Sequence, residues 1–387
     1  MDFSLSPEQE LFRSTIRSFV DTEIRPVARA MERDGRYPTE IVEGLKDLGL
    51  FGMNVPTAYG GLGLDLVSFA LVFEELARGW MGIAGILGSH SVSCSMIARH
   101  GTEEQRCAWL PRFATGERRT GIGLTEPDAG TDLQGIRTTA RRDGDHYVVN
   151  GRKTWITNAR HADPLPVLVK TDPSAQPAHR GMSILLIEAG TPGYEVSRDL
   201  PKLGYKGPES CELVFDDVRV PVANLLGGVE GRGMQQALAG LESGRINIAA
   251  RSVGLAQRAY DEAMAYSSDR QAFGQAINGF QAIQLQLANM ATKVQAARLL
   301  TWWAAAESDA GLRCDTQSGM AKLFASEVAL ECAIDAMKVH GGNGYSTEYE
   351  VERLYRDAIL MSIGEGTNDV LRTVVAKALV RGDIRVG

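Results

Sequence analysis

Arg137-Thr-Thr-Ala-Arg141-Arg-Asp143-Gly144-Asp-His146-Tyr-Val-Val149-Asn150-Gly151-Arg152-Lys-Thr-Trp155-Ile-Thr157 is the stretch where the hydrophobic period of this chain changes. Arg137 to Arg141, His146 to Val149 and Arg152 to Thr157 read as short β-type runs. The dipeptides Asp143-Gly144 and Asn150-Gly151 between them are strong hairpin signals, because tight hairpin turns favour residues that accept positive φ. Further short runs, Val167 to Lys170, Ser183 to Ile187 and Glu212 to Phe215, sit among Gly, Pro and Asp clusters with no long helical pattern between them. The spacing predicts a mostly antiparallel β domain over 120–231.

Both flanks carry the helical period. Ser6-Pro7-Glu8-Gln9 combines a cap, a proline at the first helical position and a capping-box glutamine, and Phe12, Ile16, Phe19 and Val20 follow on one face. Thr39 opens a helix stopped by Gly49, and Thr102-Glu-Glu-Gln105 is another capping box. Residues 1–119 are therefore predicted as an all-α domain. After Gly233, Val253, Ala256, Tyr260 and Met264 share a face, and Phe280, Ile283, Leu287, Met290, Val294 and Ala297 alternate spacings of three and four, as a bundle seam does. A third helix carries Met320, Leu323, Phe324, Val328, Leu330, Ile334 and Met337, and Leu371 to Leu379 supplies a fourth. The expected fold class is α+β, with a C-terminal four-helix bundle over 232–387.

At 387 residues the chain exceeds one ordinary core, so two or three domains are expected. A net charge of -7 speaks against a nucleic-acid footprint. Cys94, Cys107, Cys211, Cys314 and Cys332 lack ligand spacing, which predicts a reducing compartment and no structural metal. The N-terminus shows no signal-peptide pattern, and the apolar run Gly82 to Leu87 is broken by Ser89 and His90, so a cytoplasmic location away from membranes is expected.

Several stretches combine residues suited to binding or catalysis. Gly123-Leu124-Thr125-Glu126-Pro-Asp128-Ala-Gly130-Thr131-Asp132 mixes glycines with hydroxyls that can hydrogen-bond a heterocycle or phosphate, and it is equally a polar turn. Trp155-Ile-Thr157 offers a stacking ring beside a hydroxyl, or a core tryptophan on a strand. Arg270-Gln-Ala-Phe273-Gly274 places a guanidinium suited to pyrophosphate beside an aromatic, or a solvated helix-end arginine. His340-Gly341-Gly342-Asn343-Gly344-Tyr345 lacks the context of a dinucleotide fingerprint and is also a plain helix stop. Met361-Ser-Ile-Gly364-Glu365-Gly366-Thr367-Asn-Asp369 holds a carboxylate between glycines, with Thr367 as a cap for the last helix. It reads as an acid aimed into a site or as a solvated turn. Lone histidines, including His90, His100 and His340, have no triad motif around them.

Four motifs taken together resemble the acyl-CoA dehydrogenases: TEPDAGTD at Thr125 to Asp132, RxxFG at Arg270 to Gly274, GGNGY at Gly341 to Tyr345 with Glu352-Arg353-Leu-Tyr-Arg356-Asp357 beyond it, and EGT at Glu365 to Thr367. They fall in one order over nearly the whole chain, and the α, β, α order is also that family's architecture. The resemblance implies FAD held between subunits of a homotetramer, a dimer of dimers. It assigns Ile122, Leu124, Thr125, Thr131, Trp155 and Thr157 to the flavin and ribityl part. Arg270, Phe273, Phe280, Gln281, Lys338, Gly341 and Gly342 are assigned to the adenosine and pyrophosphate part, and Thr367 and Asp369 complete the cofactor site. Acyl-CoA contacts are implied for Thr131, Glu242, Arg245 and Gly366.

In the same way Glu365 matches the catalytic base, whose own backbone N–H helps polarise the thioester carbonyl. Some branched-chain and long-chain relatives take the base from an earlier helix, just before the arginine that matches Arg245. This chain has Gly244 there, leaving Glu365 without a rival. Arg245 is implied to support substrate or base electrostatically, or it is a structural bundle arginine. Desolvation is expected to raise the Glu365 pKa against the lowering effect of the nearby helix N-terminus. Lys338 departs from the usual glutamine and Ala272 from a common threonine. The implied activity is α,β-dehydrogenation of an acyl-CoA to trans-2-enoyl-CoA, with electrons passed to an electron-transferring flavoprotein. The competing readings are a flavin oxidase or monooxygenase on the same scaffold, and a non-catalytic relative that binds nucleic acid. Gly82, Gly85, Gly88 and Gly244 either leave room for a branched or cyclic acyl group or let helices pack closely.

Overall fold

The computed structural model describes residues 4–383 except 313. It begins with α1 (Pro7–Phe19), α2 (Arg25–Arg33), α3 (Thr39–Asp47), α4 (Leu66–His100) and α5 (Glu103–Ala114). The helix starts follow their sequence signals. The Ser6 hydroxyl accepts from Gln9 N while the Gln9 side chain accepts from Ser6 N, and Thr102 and Gln105 do the same at α5. The apolar run Gly82 to Leu87 lies within the single helix α4, which is kinked at Trp80 with φ -154° and ψ 110°. By length and composition α4 is long and apolar enough to cross a membrane, which its broken apolar run does not suggest. In the fold, 83% of its most apolar window is buried inside the protein, so it is a core helix.

The middle of the chain forms β1 (Thr139–Asp143), β2 (His146–Thr157), β3 (Leu165–Lys170), β4 (Met182–Ile187), β5 (Tyr194–Asp199) and β6 (Ser210–Pro221), in the sheet order β4-β3-β1-β2-β6-β5. All pairings are antiparallel except β1 with β3. Asp143-Gly144 is the predicted hairpin, with Asp143 paired to His146.

Asn150-Gly151 is not a turn. It lies within β2, where the register against β6 shifts between Val149 and Gly151. Gly151 has φ 149°, and a β-carbon there would strike Thr138. The Asn150 amide donates to Asp217 Oδ1 at 2.9 Å and accepts from Asp217 N at 3.0 Å. Side-chain bonds to the neighbouring strand thus convert a turn-type dipeptide into a bulge.

The helical period returns with α6 (Gly233–Asp269). A two-strand ribbon, β7 (Gln271–Ala272) and β8 (Gln275–Ala276), leads to α7 (Gln281–Asp309), α8 (Asp315–His340), α9 (Val351–Met361) and α10 (Asn368–Arg381). Leu287, Met290, Val294 and Ala297 of the predicted seam are buried against Val328, Cys332 and Ala336 of α8, each large side chain contributing about 1.5–3 kcal/mol on burial. Helices α6, α7 and α8 pack on one another, and α10 closes against α8. The short α9, which the sequence does not separate from its surroundings, packs on α6 and α8. Because α4 lies along α6, the N-terminal helices and the bundle share a face. That shared face is where the polar groups described next converge.

Candidate active site

Helix α9 ends at Met361 and α10 begins at Asn368, and the turn between them is held from both sides. Asn368 N donates to Ser362 O at 3.0 Å. The Thr367 hydroxyl accepts from Val370 N at 3.4 Å, the predicted cap. Within this turn Glu365 itself takes φ 52°, followed by Gly366 at φ 95°. A left-handed glutamate costs on the order of 1–3 kcal/mol and persists where its surroundings enforce it.

Those surroundings come from α6 and α8. A β-carbon at Gly244 would fall inside the envelope of Glu365 Oε2, so only glycine at 244 lets the carboxylate lie against α6. Oε2 is buried and has no hydrogen-bond partner among the described residues. Burial pushes the Glu365 pKa up to about 7, with Arg251, Lys322 and Arg245 pulling the other way. Desolvation therefore wins, as expected from sequence. Arg245 is half-buried. Its Nη1 donates to Asp315 O at 3.4 Å and lies 3.8 Å from the Asp315 carboxylate, while Nε is buried with no partner among the described residues. Glu242, one turn ahead of Arg245, accepts from Cys314 N at 3.3 Å and pairs with Arg99 at 3.6 Å.

Lys322 was not anticipated. It is fully buried on α8, and its Nζ donates to Gly366 O at 2.8 Å and to Asn368 Oδ1 at 2.9 Å. Ser326 closes the network on Asn368. Burial pushes the Lys322 pKa down to about 8. A lysine between Met320 and Leu323 in a helix apolar on more than one side was the available signal. Arg251, Asn247 and Tyr205, all buried, likewise carry no local signal in the sequence.

The middle domain supplies a second wall. The strip from Ile122 to Thr125 runs beside β3, with Gly123 N donating to Pro166 O at 2.8 Å and Leu168 N donating to Gly123 O at 2.9 Å. It is pinned to β2 by Lys153, whose Nζ donates to Leu124 O at 3.0 Å and to Glu126 Oε1 at 2.8 Å, both side chains being buried. Thr154 N adds a bond to Thr125 O at 2.9 Å. Ile122 and Thr125 are half-buried, Leu124 is buried and Thr131 is exposed. Trp155 is not a core residue: at φ 61°, beside a second register shift in β2, its side chain is turned out and is 56% exposed. Thr157, half-buried two residues on, reaches Tyr205, which stacks under Arg251.

A third group lies elsewhere. Arg270 caps α6 and makes no ion pair among the described residues. Phe273 tips the β7–β8 ribbon at φ 50°, 96% exposed and edge-on to Phe280 at 6.0 Å. Gln281 and Lys338 are exposed, as are Gly341 and Gly342. The end of α8 meets the end of α6 where His340 stacks on Tyr266 at 4.1 Å and Asn343 donates to the Tyr266 hydroxyl at 2.9 Å. At about 1.5 Å rise per residue, positions 244 and 270 are roughly 39 Å apart along α6. The structure thus brings Glu365, Gly366, Thr367 and Arg245 together, and it puts Arg270, Phe273, Phe280, Lys338, Gly341 and Gly342 at the opposite end of the bundle. Asp369 is exposed and paired with Arg372 at 3.0 Å.

The donor set fits a flavin dinucleotide. An outward tryptophan with threonine hydroxyls suits a ring system and its polar edge, and an unpaired guanidinium beside exposed aromatics suits pyrophosphate and adenine.

Comparison with known proteins agrees. Family models for the N-terminal, middle and C-terminal domains of acyl-CoA dehydrogenase match residues 6–117, 121–218 and 231–380. The chain belongs to the acyl-CoA dehydrogenase family, whose members are FAD flavoproteins, and it is an oxidoreductase of that family. It is 41% identical to (2S)-methylsuccinyl-CoA dehydrogenase of Cereibacter sphaeroides over 97% of this chain and 70% of that protein. Butyryl-CoA dehydrogenase of Megasphaera elsdenii superposes with a TM-score of 0.95 at 37% identity, covering 98% of this chain and 100% of the other. A chain from the structure of the electron-transferring flavoprotein of Acidaminococcus fermentans gives the same TM-score, identity and coverage.

Proposed function

We propose that this protein catalyses α,β-dehydrogenation of an acyl-CoA thioester to the trans-2-enoyl-CoA, with Glu365 taking the α-proton. The observation that carries this reading is the buried, unpartnered Oε2 of Glu365, on a carboxyl whose pKa is about 7. A base of that strength is about half ionised at neutral pH and is matched to proton transfer there. FAD, when bound, supplies the acceptor for the β-hydride.

The chain's own residues do the rest. The positive-φ turn and Gly244 hold the carboxylate in one place, which removes orientational entropy from the proton transfer. Arg251, Lys322 and Arg245 offset the carboxylate's charge before transfer. Thr131, Glu242, Arg245 and Gly366 are the proposed thioester contacts. The wall of Ile122, Leu124, Thr125, Trp155 and Thr157 faces the flavin, and Thr367 and Asp369 complete the site. Arg270, Phe273, Phe280, Gln281, Lys338, Gly341 and Gly342 bind the adenosine and pyrophosphate half of the FAD of a neighbouring subunit. Their separation of about 39 Å from Gly244 supports that assignment, because one dinucleotide does not span it. A homotetramer, a cytoplasmic location and an electron-transferring flavoprotein as acceptor complete the proposal, the last supported by the similarity to the Acidaminococcus fermentans chain.

Incubating the holoenzyme with acyl-CoAs and an artificial electron acceptor, then weighing the thioesters by mass spectrometry, tests the reading. Loss of two hydrogens from the acyl group is expected, and unchanged thioesters throughout would contradict it.

A further inference from the structure

Two of the most deeply placed polar side chains near Glu365, Arg251 and Asn247, keep polar atoms without a hydrogen-bond partner among the described residues. On α6, Gly244, Asn247 and Arg251 occupy one face, at i, i+3 and i+7. Arg251 is 4% exposed and Asn247 is 0% exposed. The Arg251 Nη2 lies 2.8 Å from Met81 Sδ and the guanidinium sits 5.4 Å from the Tyr205 ring centre, but Nε has no partner among the described residues. No carboxylate lies within ion-pair distance of it among the described residues, and both polar atoms of the Asn247 side chain are unpartnered. Across from them α4 offers glycines at 85 and 88 beside the Met81 thioether. A β-carbon at Gly85 would strike the Tyr205 ring and one at Gly88 the Asn247 amide. These glycines therefore admit polar groups, and the space beside them is not an extension for a bulky alkyl chain.

A buried guanidinium without an anion is costly, and so is a buried amide with neither donor nor acceptor used. Glu365 cannot supply the missing charge throughout turnover, because it becomes neutral when it takes the α-proton. An acyl chain with a methyl end would leave Arg251 Nε and the Asn247 amide still unpaired.

We propose that Arg251 and Asn247 form a subsite for the terminal carboxylate of a dicarboxylic acyl-CoA of four to six carbons. A carboxylate matches the fork of the guanidinium and accepts from the amide at the same time. The length follows from the helix: Arg251 is about 10 Å along α6 from Gly244, and its side chain leans back toward that end. This inference rests on the dehydrogenase reading above and narrows its substrate.

The test is anaerobic flavin reduction by the holoenzyme with matched pairs: succinyl-CoA against pentanoyl-CoA, glutaryl-CoA against hexanoyl-CoA, and adipoyl-CoA against heptanoyl-CoA. In the wild type a carboxylate-ended thioester is expected to reduce the flavin at least about 10-fold faster than its methyl-ended match. Arg251→Gln, checked for retained yellow cofactor, should lower that ratio roughly 100-fold, within the range for unpairing one buried charge. Arg251→Lys should retain part of the preference. A wild type that favours the methyl-ended thioesters would overturn the proposal even if no variant folds. An Arg251→Gln variant that slows both series equally would also overturn it, by showing that Arg251 acts only through Glu365. Absence of flavin reduction in both series would instead remove the dehydrogenase reading on which the proposal stands.

Discussion

Gly244 and Glu365 are complementary: the only place for a side chain at 244 is the place the Glu365 carboxylate already occupies. Two positions more than a hundred residues apart in the chain thus address one point in the site. Gly244→Ala should displace the carboxylate and slow flavin reduction by at least about 10-fold, since small misplacements of a base are expensive in rate. The converse is more specific. Glu365→Gly should be nearly inactive, and Glu365→Gly with Gly244→Glu should recover part of the lost rate by delivering a carboxylate from α6. A double variant no faster than Glu365→Gly alone would show that the two positions do not share that point.

The pKa of about 7 for Glu365 sets a pH dependence. Proton abstraction needs the ionised carboxylate, so the rate of flavin reduction should climb as pH rises through about 7 and then level off. Lys322 lowers that pKa by its charge. Lys322→Met removes the charge and should move the midpoint to higher pH, and it also frees Gly366 O and Asn368 from their anchor. Stopped-flow flavin reduction across pH, wild type against variant, checks both the position of the midpoint and the direction of its shift.

Lys153 and Glu126 form a buried pair that fastens the strip from Ile122 to Thr125 onto β2. Glu126 additionally accepts from Arg137 N at 2.6 Å and Thr138 N at 2.9 Å. Lys153→Met leaves a buried carboxylate without its cation, which costs about 3–5 kcal/mol. A clear drop in the thermal midpoint, together with lower FAD content per chain, is expected from calorimetry and absorbance. A variant with unchanged midpoint and full yellow colour would show that the strip is held by other means.

The order of helices and strands was legible because it rests on local signals. Capping boxes at Ser6 and Thr102, the Asp143-Gly144 turn and the seam from Leu287 to Ala297 are each decided within a few residues. Asn150-Gly151 was misread as a turn because its outcome depends on Asp217 and Thr138, which lie on other parts of the sheet. The same limit explains the site. Glu365 stands out in sequence by its flanking glycines and its place in a motif. Lys322, Asn247 and Arg251 sit in long helices, and their relation to Glu365 is set by how α6 and α8 pack around the turn. No local spacing encodes that packing. The outward turn of Trp155 is likewise a product of irregular pairing between β2 and β6.

The central claim is that Glu365 is the base, and it is tested most directly by single-turnover flavin reduction under anaerobic conditions with Glu365→Gln. The glutamine keeps the size of the side chain and cannot take the proton. The variant should bind FAD and acyl-CoA while reducing its flavin more slowly by about 10²–10⁴-fold, the usual contribution of a positioned general base. Flavin reduction by Glu365→Gln at a rate near that of the wild type would contradict the account.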